Sequence, residues 1–256
     1  MERTFIEKIN QIKLNNPILI EGLPGLGLVG KITVQYLIKH LKSKKLAHLY
    51  SPHFPYYVLV NNKGSVRLLR GAFYFYKNEK GLNDLILFTG DSQAQTIEGQ
   101  YEISNHILNF AREQGVEIII TIGGYRMEVE GKPKVIAVAT NRKLLDQALQ
   151  SKAVLGSMGS PIVGTAGLIL GLAHFKQIDA LCLLGETRGY LPDPRSAKSV
   201  LGVLNSLLDI SIDLSGLNKE IIKANKMITR LQKIEEKRSL QEEMRKREDK
   251  RVTYIS

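Results

Sequence analysis

Short, uninterrupted apolar runs recur along most of the chain and are separated by polar segments of helical length. Runs of this kind are typical of strands that are buried on both faces, as in a parallel sheet covered by helices. The pattern therefore predicts an α/β fold in which strands and helices alternate. The predicted buried strands cover residues 18–20, 46–50, 84–89, 117–122, 135–140 and 180–184.

Apolar residues at spacings of three and four predict helices between these strands. One begins near Leu28, and others cover residues 97–114, 143–149 and 194–208. Asp193 and Pro194 mark the start of the last of these, because Asp caps a helix and Pro suits its first position. A long C-terminal helix is predicted from residue 214, with an apolar seam that gives way to charge beyond Ile234.

Residues 51–76 depart from the alternation of strands and helices. The segment 51–57 contains two prolines and clusters Phe54, Tyr56 and Tyr57. Aromatic side chains on such a segment either form an interface or cover the core, and the sequence favours neither. Two β-like runs follow, at 58–60 and 66–76, joined by the turn sequence Asn61-Asn62-Lys63-Gly64, which predicts an extra β-hairpin region.

These elements predict one core domain with a C-terminal appendage. The α/β core is expected over residues 1–213, the C-terminal helix over 214–245, and a flexible charged tail over 246–256. The tail ends in a small hydrophobic tip, Val252-Thr253-Tyr254-Ile255-Ser256. A charged helix followed by a flexible tip has the physical form of a tether.

A glycine-rich turn joins the first buried strand to the first helix. It contains Gly22, Pro24, Gly25, Gly27 and Gly30, and it fits G-x-G-x-x-G and the start of the P-loop pattern. Ile32 stands where a P-loop has Ser or Thr, and no acidic residue follows at the position that binds a ribose. Nucleotide binding through residues 25–31 is therefore the alternative, and close strand–helix packing is the simpler explanation.

Composition disfavours several classes of protein, namely nucleic-acid-binding, disulfide-rich secreted and membrane proteins. The chain has 256 residues and a formal net charge of +11, with basic residues scattered rather than arranged in one stripe, so nucleic-acid binding is not favoured. The single Cys182 lies in an apolar run and predicts a buried thiol in a reducing compartment. No long apolar segment suggests a secretion signal or a membrane span, so we expect a cytoplasmic protein.

Polar residues follow the carboxyl ends of several predicted strands, where α/β folds bind ligands. They are Asp91 and Gln93 after one strand, Gly123 and Gly124 after the next, and Glu186 and Arg188 after the last clear parallel strand. The set has no histidine, no nucleophile and no metal-ligand spacing, so we expect no catalysis, no metal and no cofactor. An internal network that holds the loops, or a subunit contact, explains these residues better.

Five segments, in order, resemble the archaeal proteasome assembly chaperone family, relatives of eukaryotic proteasome assembly chaperone 2. They cover roughly residues 17–214 and are Glu21-Gly-Leu-Pro-Gly-Leu-Gly-Leu-Val-Gly30, Gly90-Asp91-Ser-Gln93, Ile122-Gly-Gly-Tyr125, Thr165-Ala-Gly-Leu168, and Leu184-Gly-Glu-Thr-Arg-Gly-Tyr190 with Asp193-Pro194.

The resemblance implies a three-layer α/β/α fold with a mostly parallel central sheet, similar to nucleoside phosphorylases, without an established catalytic activity. It also implies homo-oligomers that help to assemble the proteasome α-ring, or an adaptor on it. Contact with the α subunits would use a C-terminal hydrophobic-Tyr-any-residue motif. Here Tyr254 is third from the end rather than second, so the triplet lies one residue early.

Overall fold

The computed structural model describes residues 1–79, 83–224 and 226. It contains eleven strands among these residues: β1 (Phe5–Lys8), β2 (Ile18–Glu21), β3 (Lys44–Tyr50), β4 (Val58–Val60), β5 (Val66–Leu68), β6 (Gly71–Tyr76), β7 (Leu85–Gly90), β8 (Ile118–Arg126), β9 (Val135–Ala139), β10 (Val154–Leu155) and β11 (Asp179–Thr187). The helices are α1 (Val29–His40), α2 (Ile97–Glu113), α3 (Arg142–Gln150), α4 (Thr165–Ala173) and α5 (Pro194–Leu207).

Nine strands form one mixed sheet in the order β1-β3-β6-β7-β2-β8-β11-β9-β10. The four central strands β7, β2, β8 and β11 are parallel. Antiparallel pairs flank them, β6 with β7 on one side and β9 with β11 on the other. The parallel centre carries the apolar runs, because both of its faces are covered. The predicted α/β fold is confirmed, whereas the likeness to nucleoside phosphorylases stays a prediction.

Helices cover both faces of the sheet and give three layers. One core packs α1, α3 and α5 against side chains such as Ile20, Ile120 and Leu183. The other packs α2 and α4 against Leu19, Phe88 and Ile119 from the opposite face. Neighbouring residues of β2 therefore point into different cores, as the alternation of side chains along a strand requires.

Residues 51–76 contribute to two different sheets and to the segment that precedes them. β4 and β5 form a separate two-stranded hairpin, as the turn sequence predicts, while the second predicted run breaks so that β6 joins the main sheet. In the preceding segment Phe54 is buried in the core, whereas Tyr56 is fully exposed. Phe54 therefore covers the core, whereas an interface at Tyr56 stays a prediction.

The C-terminal region is described only at its start. Residues 217–224 are helical, three residues later than the predicted start at 214. The rest of the predicted helix and the tail residues Val252, Thr253, Tyr254, Ile255 and Ser256 lie outside the described residues. No helix in the described part of the chain is both long enough and apolar enough to cross a membrane.

Candidate functional site

The glycine-rich turn between β2 and α1 lies at the carboxyl end of the parallel strands and is packed tightly against its neighbours. A Cβ atom added at Gly30 would lie 2.4 Å from the carbonyl oxygen of Ile122, and one at Gly22 would lie 2.3 Å from that of Gly30. Gly27 has φ +60°, a conformation that favours glycine. The glycines therefore let α1 approach β2 and β8 at backbone distance, as the simpler explanation predicts.

Gln93 joins the turn to α2 and α4. Its side-chain amide donates to the carbonyl of Pro24 at 2.8 Å, and its Oε1 accepts from the backbone N–H of Thr165 at 3.1 Å. The Thr165 hydroxyl donates to Gln100 at 2.8 Å, and the Gln100 amide donates to the carbonyl of Ala94 at the same distance. One amide side chain thus ties three separate segments together.

A second network joins the turn to the segment after β11. The Thr187 hydroxyl donates to Asp193 Oδ2 at 2.9 Å and accepts from the Gly189 N–H at 3.2 Å. Asp193 Oδ1 accepts from the first N–H groups of α5, which confirms the predicted cap. The Asp193 N–H donates to the carbonyl of Gly27 at 2.8 Å. The start of α5 and the glycine turn are therefore held as one unit.

Strands β8 and β11 continue beyond the points where glycine suggested that they end. Gly123 pairs with Leu184 and Gly124 with Gly185 inside the parallel ladder. Glu186 is also a strand residue, buried, and its Oε2 accepts from the Lys134 N–H at 2.8 Å. These three residues are thus part of the sheet rather than of mobile loops.

The charged candidates have separate partners. Asp91 accepts two hydrogen bonds from the Arg67 guanidinium, at 2.6 and 2.9 Å, and one from the Arg70 N–H. Burial raises the pKa of Asp91, but these hydrogen bonds and the Arg67 charge outweigh burial, and the pKa lies below its ordinary value. Arg188 pairs with Glu128 at 2.9 Å, and both side chains are exposed. The predicted internal network therefore exists, but it does not bring Asp91 and Arg188 together.

A buried polar group stands at the centre of the sheet. Glu21, Thr121 and Cys182 are neighbours across β2, β8 and β11, and all are buried. Burial raises the pKa of Glu21 to about 8, although the Leu23 N–H donates to its Oε1. Burial also raises the pKa of Cys182 to about 12, so this thiol is not a nucleophile at neutral pH. At neutral pH, Glu21 is a neutral carboxylic acid.

The turn is not prepared to bind a phosphate. The N–H of Gly27 donates to the Gly189 carbonyl at 3.3 Å, and the N–H of Leu28 donates to the Gly25 carbonyl at 2.9 Å. N–H groups that already have carbonyl partners are not free to bind an anion. Among the described residues, no group of three or more His, Cys, Asp or Glu side chains is placed to hold a metal.

Residues 19–232 match the PAC2 family. The chain belongs to the PAC2 family. The match includes the glycine turn, both networks and the strand extensions just described. The five sequence segments that suggested the archaeal proteasome assembly chaperones are thus the parts of a PAC2 protein that meet at the carboxyl end of its sheet.

Three archaeal proteins are similar to this chain along most of its length. Pyrococcus furiosus PbaB, an archaeal proteasome activator with a crystal structure, is 35% identical to this chain. The alignment covers 91% of this chain and 100% of PbaB, and the TM-score is 0.86. P. furiosus PbaA, an archaeal homolog of proteasome-assembly chaperone, is 26% identical over 99% of this chain and 100% of that chain, with a TM-score of 0.75. An uncharacterised protein of Methanocaldococcus jannaschii is 33% identical over 92% of this chain and 91% of its own length.

Several residues that organise this PAC2 site were not among the predicted site residues. Thr165 and Thr187 lie in the segments that carried the resemblance, but the sequence does not show which group a threonine hydroxyl will hydrogen-bond. Arg67, the partner of Asp91, is 24 residues away in the hairpin. An arginine on a predicted surface hairpin gives no sequence signal that it reaches the end of a core strand.

Proposed function

We propose that this PAC2 protein is a non-catalytic, homo-oligomeric assembly chaperone or adaptor of the proteasome, and that its C-terminal tails bind the α subunits of the α-ring. The observation that carries the proposal is the 35% identity with P. furiosus PbaB, a proteasome activator, along the whole length of that chain. The 26% identity with PbaA, a homolog of proteasome-assembly chaperone, supports the same class of partner. We place this activity in the cytoplasm.

The geometry at the strand ends is consistent with a binding protein rather than with an enzyme. Hydrogen bonds within the chain, to backbone or side-chain groups, occupy the polar atoms of Gln93, Thr187 and Asp193. A catalytic site needs groups that face a substrate with free donors and acceptors. The network instead makes a rigid body from which the C-terminal helix starts at residue 217.

The tail is suited to be the contact element. Val252 and Tyr254 supply apolar surface, and Arg245 to Arg251 form a charged stretch before them. About 30 residues separate the last described helical residue from the C-terminus, which is enough to reach a pocket tens of ångströms away. Several tails on one oligomer would bind a ring of identical subunits with avidity, even if each tail binds weakly.

The proposal is tested by binding of the full-length chain to a cognate proteasome α-ring, beside a version that ends at Thr253 and a Ser256→Ala control. We expect the full-length chain and the control to bind and the truncated chain to lose binding. All three versions should elute as the same oligomer, because the core is unchanged. Binding that survives truncation would place the contact on the globular surface, and absence of binding by the full-length chain would refute the proposal.

A further inference from the structure

The β4–β5 hairpin presents an apolar face to solvent. Leu59 and Arg67 point toward the body of the protein, where Leu59 packs on the core. The residues that alternate with them point outward, as the pleat of the strands requires. Together with the two tyrosines that directly precede β4, the exposed apolar residues are Tyr56, Tyr57, Val58, Val60, Val66 and Leu68.

The outer face consists of two cross-strand pairs without a charge. Val58 pairs with Leu68, and Val60 pairs with Val66. Val60 and Val66 are 68% and 62% exposed. Contiguous apolar surface of this kind marks an interaction site, since single exposed side chains are normal but a continuous face is not.

The hairpin is fixed in place rather than loosely attached. Arg67 anchors it through its two hydrogen bonds to Asp91, directly after core strand β7. The Asn61 side chain accepts from the N–H groups of Lys63 and Ser65 and closes the turn. An isolated two-stranded hairpin is only marginally stable in water, so the anchors indicate that this face is kept in a defined position.

The segment that carries the two tyrosines is anchored as well. His53 Nε2 lies 3.1 Å from Glu102 Oε2 on α2, and its Nδ1 lies 3.1 Å from the Thr96 hydroxyl. A Cβ atom added at Gly99 would lie 2.3 Å from that of His53, so the helix is shaped to receive this ring. Tyr56, fully exposed, is thus presented from a rigid base.

Building on the homo-oligomer of the proposed function, we propose that the outer face of the β4–β5 hairpin, with Tyr56 and Tyr57, is the surface through which two copies of this chain associate. At their exposures these six residues present about 700 Å², so two copies that cover the whole face would bury at most about 1,400 Å², which is within the range of specific interfaces.

The apolar composition of the face, rather than net charge, favours a second copy as the occupant. Each copy carries a formal net charge of +11, so two copies repel each other at a distance. A contact between them is favourable where the meeting surfaces are apolar and bear no charge of their own, and homodimer interfaces have this composition. A surface that recruits an oppositely charged partner would instead carry charges on its face.

The decisive experiment measures the mass of the full-length chain in solution by sedimentation, for the wild type and the variant Val60→Glu/Val66→Glu. The matched control is Val163→Glu, an exposed valine outside the hairpin. We expect the double variant to raise the dissociation constant for self-association at least about thirtyfold, because two desolvated charges replace central apolar contacts. The control should keep the wild-type mass, and all three should share one circular dichroism spectrum.

A second measurement does not depend on a disruptive substitution. Cys182 is buried, so Val60→Cys supplies the one accessible thiol among the described residues. With a copper–phenanthroline oxidant, we expect disulfide-linked dimers of Val60→Cys and none of Val163→Cys. If Val60→Cys forms no disulfide and also gives no dimer with a long, flexible bis-maleimide cross-linker, which does not need the two thiols in disulfide contact, the inference is overturned even if the double variant is misfolded.

The outcomes separate this inference from the proposed function. An oligomeric wild type whose mass is unchanged in the double variant overturns the hairpin surface and leaves the α-ring proposal intact. A double variant that dissociates, in a protein that does not bind the α-ring, supports the hairpin surface and refutes the α-ring proposal. A double variant that keeps its mass but loses α-ring binding would assign the face to an α subunit and overturn the inference.

Discussion

Glu21 at the end of β2 lies opposite Thr121 on β8, and both side chains are buried at the centre of the sheet. A neutral carboxylic acid is tolerated at such a position, but a carboxylate is not. Burial in the sheet therefore opposes the ionisation of Glu21.

The free energy of unfolding should consequently fall as the pH rises. The pKa of Glu21 is about 8 in the folded protein against 4.5 as the ordinary value, so the folded state keeps a proton that the unfolded state releases in this window. The stability contribution is complete below pH 4.5 and is lost as the pH rises through 8, by up to about 1.4 kcal/mol per unit. Urea unfolding at several pH values measures it.

Glu21→Gln should flatten this dependence and make the protein more stable than wild type above pH 8. Glu130→Gln, which changes an exposed glutamate, should keep the wild-type slope. Parallel curves for wild type and Glu21→Gln would show that Glu21 ionises freely in the folded state.

Replacement of glycine by alanine should change the free energy of unfolding in opposite directions at two helical positions. Gly30→Ala in α1 should destabilise by about 1–3 kcal/mol, because the new methyl group meets the Ile122 carbonyl. Gly202→Ala in α5 has open space around the new methyl group and should stabilise by about 0.5–1 kcal/mol. Thermal unfolding of both variants tests the pair, and equal effects would contradict the packing argument.

The sequence predicts the buried centre of this fold better than its edges. Apolar runs mark β2, β7, β8 and β11, since strands covered on both faces leave a strong hydrophobic signal. Gly123 and Gly185 instead suggested strand ends, although both strands continue. Glycine usually weakens a strand, but a Cβ atom at Gly124 would meet Leu26 and one at Gly185 would meet Ser196, so neither position has room for a side chain.

The candidate site was predicted as a set of segments but not as a set of contacts. The segments that carry Gln93, Asp91 and Glu186 do belong to the strand-end region. Their partners, Pro24, Arg67 and Lys134, lie far away in the sequence, and tertiary packing alone brings them together. The α5 cap at Asp193 was predictable because its hydrogen bonds are local.

The Thr187–Asp193 contact should couple the end of β11 to the start of α5 energetically. Thr187→Val removes the hydroxyl that serves Asp193 and the Gly189 N–H, and should cost about 1–2 kcal/mol. Asp193→Ala should cost about 0.5–2 kcal/mol through the lost cap. In a double-mutant cycle the two effects should sum to more than the loss in the double variant. Strict additivity would mean that the contact contributes nothing.

The position of the tail carboxylate should control α-ring binding. Deleting Ser256 places Tyr254 second from the end, as in the motif that the resemblance implies. We expect about tenfold tighter binding to the α-ring, because a charge-assisted hydrogen bond of the terminal carboxylate would be gained. Ser256→Ala keeps the carboxylate in place and should bind as wild type. Weaker binding on deletion would show that the present register is the functional one.

The alternative of nucleotide binding through residues 25–31 makes its own prediction. A ligand that binds the native state raises the melting temperature. We expect ATP, NAD and free nucleosides to leave the melting temperature unchanged, because the N–H groups of Gly27 and Leu28 already have carbonyl partners. A shift that saturates with ATP and disappears in Lys31→Ala would instead establish the nucleotide site.

The place of β11 in the sheet has a consequence for how the chain folds during synthesis. Among the strands in the described part of the chain, β11 is the last to be made, yet it lies inside the sheet between β8 and β9. β2 is made early, but it cannot form its strand pairs until β7 and β8 have been made. The central sheet therefore cannot close until residue 187 has left the ribosome, and until then its apolar strand edges stay open to other chains.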